Sequence, residues 1–141
     1  MCSSDLLVTP NIPEAEVLSG RSVRTRDDRV AAARAIMELG ARAVVIKGGH
    51  ATDDPIVDLL VDGQGVHEYR APRIMTTSTH GTGCTFSAAI TAGLATGLDL
   101  PHAVAEARDY VSRALASAPG LGHGHGPLNH FPAVQVAHAR N

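Results

Sequence analysis

The stretch THGTGCTFSAA, from Thr79 to Ala89, sets a cysteine behind a Gly-Thr-Gly turn and in front of an apolar run. Gly81 and Gly83 let the backbone approach a ligand closely, because neither has a side chain in the way. A helix that starts here aims its free N–H groups and the positive end of its dipole at the contents of the turn. That is the usual way to hold a phosphate or an oxyanion. Cys84 then has two readings of equal weight, a reactive thiol or a small buried hydrophobe.

Three further stretches bear chemistry. In NIPE, Asn11 and Glu14 have the spacing of a capping box, in which each side chain satisfies a backbone N–H at a helix start. The same carboxylate could reach a hydrated magnesium, and on the residues alone the cap is favoured over the metal. In VVIKGGH, Lys47 ends an apolar run and reads as a surface charge or, beside a phosphate-binding turn, as a cation for a transferring phosphoryl group. His50 reads as a polar loop residue rather than a base. HGHGPLNH carries His123, His125 and His130, but no cysteine accompanies them and no helix would set them on one face, so a metal site is not indicated. A phosphate-loop thiol of the tyrosine-phosphatase kind is excluded, because the arginine it needs six residues after the cysteine is replaced by Ile90.

The elements that must position these residues follow from periodicity and punctuation. DLLVTP is a short buried strand closed by proline, and NIPEAEVLSG a helix with Asn11 as N-cap, Pro13 in the first turn and Gly20 as stop. Asp27 or Asp28 caps a second helix that turns Val30, Ala33 and Met37 inward and stops at Gly40. Val44, Val45 and Ile46 in succession predict a strand buried on both faces. IVDLLVDGQGVHEYRAPRI predicts two strands joined at DGQG as a hairpin. After the glycine turn, Phe86, Ala89, Ile90, Gly93 and Leu94 recur at helical spacing up to Gly97. Asp99 and Pro101 open a last helix with Val104, Ala107, Val111, Ala114 and Leu115 inward. Strands alternating with helices predict an α/β sheet, and TPN and KGGH, each directly after a strand, belong on its ligand-binding edge. About four strands are fewer than such sheets usually contain, which leaves open a small complete domain or the C-terminal part of a larger one.

Composition bounds the rest. The chain has 141 residues, 44% of them hydrophobic, with aromatics at 3% and no Trp, so Ala, Val, Leu and Ile must fill the core of one domain. A net charge of -2 carries no footprint for nucleic acid or an anionic membrane. Cys2 and Cys84 make no disulfide framework, and no apolar run reaches bilayer length, so the expectation is a soluble cytoplasmic protein.

Taken in order, TPNIPEAEVLSG, VVIKGGH and THGTGCTFSAAITAGLATG resemble the C-terminal half of the hydroxymethylpyrimidine and phosphomethylpyrimidine kinases of thiamine biosynthesis. The tail GHGPLNHF resembles that family's ending, so the likeness covers nearly the whole chain. It implies the ribokinase superfamily: a three-layer α/β fold, a mostly parallel sheet with helices on both faces, present here only as the C-terminal part. Residues 1–141 would then be a partial kinase domain, the nucleotide-binding and catalytic half, with the N-terminal substrate half absent.

By the same resemblance Cys84 is the catalytic base, and Gly81, Thr82, Gly83 and Cys84 form the anion hole. Lys47 contacts phosphate, and Glu14 with Asn11 serves magnesium through water or phosphate. A thiolate suits the role, since a free thiol titrates at about 8.5 against about 3.9 for the aspartate found in most of the superfamily. The implied reaction takes the γ-phosphoryl of ATP to a hydroxymethyl-aminopyrimidine and then to its monophosphate, with ATP and Mg2+ as cofactors. The implied partners are the small pyrimidine and, in full-length members, a second copy in a homodimer. The alternatives are a pyridoxine or pyridoxal kinase of the cysteine-containing type and a non-catalytic nucleotide-binding remnant. The isolated chain is expected to be inactive.

Overall fold

The computed structural model describes residues 6–49, 55–75, 81–118 and 126–132; Cys2, His50, His123 and His125 lie outside them. The chain divides into two compact units, Met1–Arg73 and Ile74–Asn141.

The first unit contains β1 (Leu7–Val8), α1 (Ile12–Ser19), α2 (Arg26–Glu38), β2 (Ala43–Ile46), β3 (Ile56–Val61) and β4 (Val66–Ala71). The strands form one sheet in the order β1-β2-β3-β4. β1 runs parallel to β2, with Leu7 opposite Ala43 and Val8 opposite Val44. β2 with β3 and β3 with β4 are antiparallel. The fold class is therefore α/β as expected, but the described sheet is mixed rather than mostly parallel. For β3 and β4 the reason is local: Asp62 Oδ1 accepts the N–H groups of Gln64 and Gly65, and this tight turn folds β4 straight back on β3.

All four residues of β2 are buried, as its unbroken apolar run requires. Ala32, Ala33 and Ile36 of α2 pack against Val44, Ile46, Leu59 and Val61, while Val30 and Met37 sit half-buried at the rim. Arg29 on the same helix donates from Nη1 to the Val57 carbonyl at 3.0 Å. The side chains of Arg26 and Arg70 both bond Glu68 on β4.

The N-cap of α2 is Thr25, not Asp27 or Asp28. Thr25 Oγ1 accepts the Asp28 N–H at 3.1 Å, and Asp28 Oδ2 turns back to accept the N–H groups of Thr25 and Arg24 at 2.8 and 3.0 Å. The hydroxyl takes the cap and the carboxylate the third helical position, where each reaches the other's amide.

The second unit contains α3 (Thr82–Ala95) and α4 (Leu100–Ala116). α3 buries Phe86 and Ile90, and α4 buries Ala103, Val104, Ala107, Val111 and Ala114. Leu94, expected inside, is exposed. α4 approaches one residue earlier, at Gly93, where an added Cβ would lie 3.2 Å from that of Ala103. The tail segment docks on α4: Leu128 is buried, Asn129 N–H bonds the Ala114 carbonyl, and Tyr110 Oη donates to the His130 carbonyl at 2.7 Å. Among the described residues no helix is long and apolar enough to cross a membrane.

The bonds from the Thr25 and Arg24 amides hold the Asp28 carboxyl below the usual aspartate range. Such a group adds stability above its unfolded pKa of about 3.9 and loses it as pH falls through the lower native value. Thermal melts should thus show a steeper acid decline below about pH 4 in the wild type than in Asp28→Asn. Identical acid limbs would remove the cap from the account of α2.

Candidate active site

The residues singled out by chemistry fall in two groups, one in each unit. In the first unit, Asn11 and Glu14 form the capping box of α1. Asn11 Oδ1 accepts the Glu14 N–H and Glu14 Oε2 accepts the Asn11 N–H, both at 2.8 Å. The cap is thus present, and Glu14 is also exposed. An exposed carboxylate beside a carboxamide fits a hydrated magnesium, which prefers oxygen ligands and keeps several of its waters.

Lys47 directly follows β2, and its N–H donates to the Pro10 carbonyl at 2.8 Å. An isolated parallel bridge pairs Asn11 with Lys47. TPN and KGG therefore stand side by side at the carboxyl ends of two parallel strands, the edge where ligands bind in α/β sheets.

Gly48 tolerates no side chain. A Cβ there would lie 2.2 Å from the Val57 carbonyl oxygen, a backbone atom that cannot swing away. On β3, one residue on, Asp58 is buried and its Oδ1 accepts the Gly48 N–H at 2.7 Å. A hydrogen bond to a charged acceptor is worth about 1.5–3 kcal/mol. Sequence reasoning passed over Asp58. Its signal was a single charge inside the apolar run IVDLLV.

In the second unit, Gly81 is the N-cap of α3 with φ of 83°, a left-handed conformation that glycine adopts without strain. Among the described residues no side chain caps this end, and the first helical bond runs from the Thr85 N–H to the Gly81 carbonyl at 2.9 Å. Thr82, Gly83 and Cys84 are the first three helical residues, so their amides belong to the set with no acceptor inside the helix. Cys84 is a free, exposed thiol, which overturns its reading as a buried hydrophobe. It lines a groove of about 1170 Å³ between the Ala88, Ala92 and Gly93 side of α3 and the Glu106, Asp109 and Tyr110 side of α4. His130 is exposed, and among the described residues no group of three His, Cys, Asp or Glu side chains could hold a metal ion.

The profile of the family described as phosphomethylpyrimidine kinase matches residues 2–129. The chain belongs to this family.

Its relatives include the hydroxymethylpyrimidine/phosphomethylpyrimidine kinase of Bacillus subtilis, 47% identical over 125 residues, covering 88% of this chain and 46% of that protein. The thiamine biosynthesis bifunctional protein ThiED of Geobacter sulfurreducens is 48% identical over 129 residues, 92% of this chain and 26% of that protein. Among solved structures, the pyridoxal kinase of Staphylococcus aureus in complex with ADP superposes with a TM-score of 0.85 at 37% identity. That match covers 92% of this chain and 49% of the other. The chain thus spans about half the length of the single-function kinases it matches. The family's ribokinase-like α/β fold agrees with the architecture above.

The capping box makes separable demands on its two residues. Asn11→Ala should lower unfolding stability by about 1 kcal/mol, while Glu14→Gln, which can still accept the Asn11 N–H, should leave it nearly unchanged. Urea melts of both variants check this, and an equal loss in the two would show that the charge of Glu14, not its geometry, supports α1.

Proposed function

We propose that this chain is the nucleotide-binding and phosphoryl-transfer part of a kinase that phosphorylates 4-amino-5-hydroxymethyl-2-methylpyrimidine and then its monophosphate, using ATP and Mg2+. The observation that carries this reading is the exposed Cys84 thiol in the first turn of a glycine-opened helix, in a chain of this kinase family.

In the proposed mechanism the Cys84 thiolate takes the proton from the substrate hydroxymethyl group as its oxygen bonds to the γ-phosphorus. The bond between that phosphorus and the β–γ bridging oxygen breaks, and ADP leaves with the electron pair. The amides of Thr82, Gly83 and Cys84 stabilise charge on the transferring group, and such preorganised donors need no reorganisation as the reaction proceeds. Lys47 supplies a positive charge to the phosphates. Glu14 and Asn11 hold Mg2+ through water or phosphate, and the ion when bound neutralises phosphate charge. The likeness to an ADP-bound pyridoxal kinase supports a nucleotide as ligand and favours one second reading, pyridoxal in place of the pyrimidine.

The substrate pocket and the remainder of the sheet belong, in this reading, to the other half of the fold. Among the described residues β1 is an edge strand with β2 as its partner. Beside it a hollow of about 520 Å³ is lined by Val8, Pro13, Val17 and Leu18. Val17 is 84% exposed and Leu6 57%. An open edge flanked by apolar surface invites association. Residues 1–141 alone should therefore elute as oligomers and consume no ATP with either hydroxymethylpyrimidine or pyridoxal. A monomer with substrate-dependent turnover would show instead a complete small kinase.

In a chimera that supplies the other half from the Bacillus subtilis relative, Cys84→Ala should lower turnover at least about a hundredfold with ATP affinity kept, as loss of a general base does. Glu14→Gln should raise the Mg2+ needed for half-maximal rate. Turnover near wild type in the cysteine variant would overturn the base.

A further inference from the structure

Asp58 has no part in the mechanism above, yet among the described residues it is the one charged side chain that is buried. Its carboxylate sits 2% exposed on β3 and accepts the Gly48 N–H at 2.7 Å. On the other side of the same turn, the Lys47 N–H is bonded to the Pro10 carbonyl, which leads directly into Asn11. Gly48 lies so close to Val57 that a methyl group would meet its carbonyl oxygen at 2.2 Å, and that oxygen is held by Arg29. The residue after Lys47 is thereby clamped between a buried carboxylate and a fixed carbonyl.

We propose that Asp58 is a positioning residue for phosphate binding: by holding the Gly48 amide, it fixes the backbone from which the Lys47 side chain extends toward a nucleotide's phosphates. A lysine has four rotatable carbons, so only a rigid origin confines its ammonium. A carboxylate suits the task because a charged acceptor in a buried setting bonds an amide more strongly than a neutral one. This inference rests on the reading of Lys47 as a phosphate contact.

The test uses the chimera that supplies the other half from the Bacillus subtilis relative, hydrogen exchange at the Gly48 amide, and equilibrium binding of MgATP. Asp58→Ala should speed Gly48 exchange and weaken MgATP at least about tenfold. Asp58→Asn, which retains an acceptor oxygen, should recover most of that loss. The double variant with Lys47→Ala should bind no more weakly than Lys47→Ala alone, because the two act in series. Gly48→Ala, which displaces the turn without touching the buried carboxylate, should weaken MgATP to a similar degree and carries the test if Asp58→Ala does not fold. If Lys47→Ala lowers affinity but Asp58→Ala and Gly48→Ala bind as wild type, the positioning role is overturned while Lys47 keeps its own. If Lys47→Ala binds MgATP no differently from wild type, the phosphate role of Lys47 fails and this proposal with it.

Discussion

The Lys47 amide and the Pro10 carbonyl, at 2.8 Å, join two loops that are remote in sequence. This bond continues the parallel pairing of β1 with β2 beyond the ends of both strands, and the bridge between Asn11 and Lys47 extends it by one more step. Every candidate residue of the first unit depends on that register. A slip by one residue would turn Leu7 and Val8 over and carry Asn11 away from Lys47, and the buried face of β2 is what forbids the slip.

A second constraint stiffens the same edge. β3 returns antiparallel beside β2 and places Asp58 where its carboxylate meets the amide of the KGG turn. Burying a carboxylate is unfavourable unless it is well bonded, so this one ties the turn to the sheet rather than leaving it to solvent. The glycine at position 48 is then required by space and not by backbone conformation, since the Val57 carbonyl leaves no room for a side chain.

The second unit solves a different problem with fewer parts. A left-handed glycine opens α3, no side chain among the described residues caps it, and the thiol follows in the first turn. Among the described residues this end lacks the side-chain cap that Thr25 and Asn11 give to α2 and α1, and amides at a helix start suit an anion. The helix is held from behind by Phe86 and Ile90 and by the close approach of Gly93 to Ala103.

Much of this was legible in the residues themselves. The order of elements, the DGQG hairpin, the Asn11–Glu14 box and the opening of α4 at Asp99 follow from punctuation and periodicity, which act over a few neighbours. The likeness that assigned the family was equally local, since it lay in short ordered motifs. Tertiary structure decided what depends on distant partners. It decided that Thr25 rather than an aspartate caps α2, because the two side chains choose between amides. It set Leu94 outside, because α4 approaches at Gly93. It showed Cys84 exposed, a matter of what packs around a helix end and not of the residue's type. And it gave Asp58 a partner: a lone charge in an apolar strand announces a buried contact, but only the pairing of β3 with β2 determines that the contact is the amide next to Lys47.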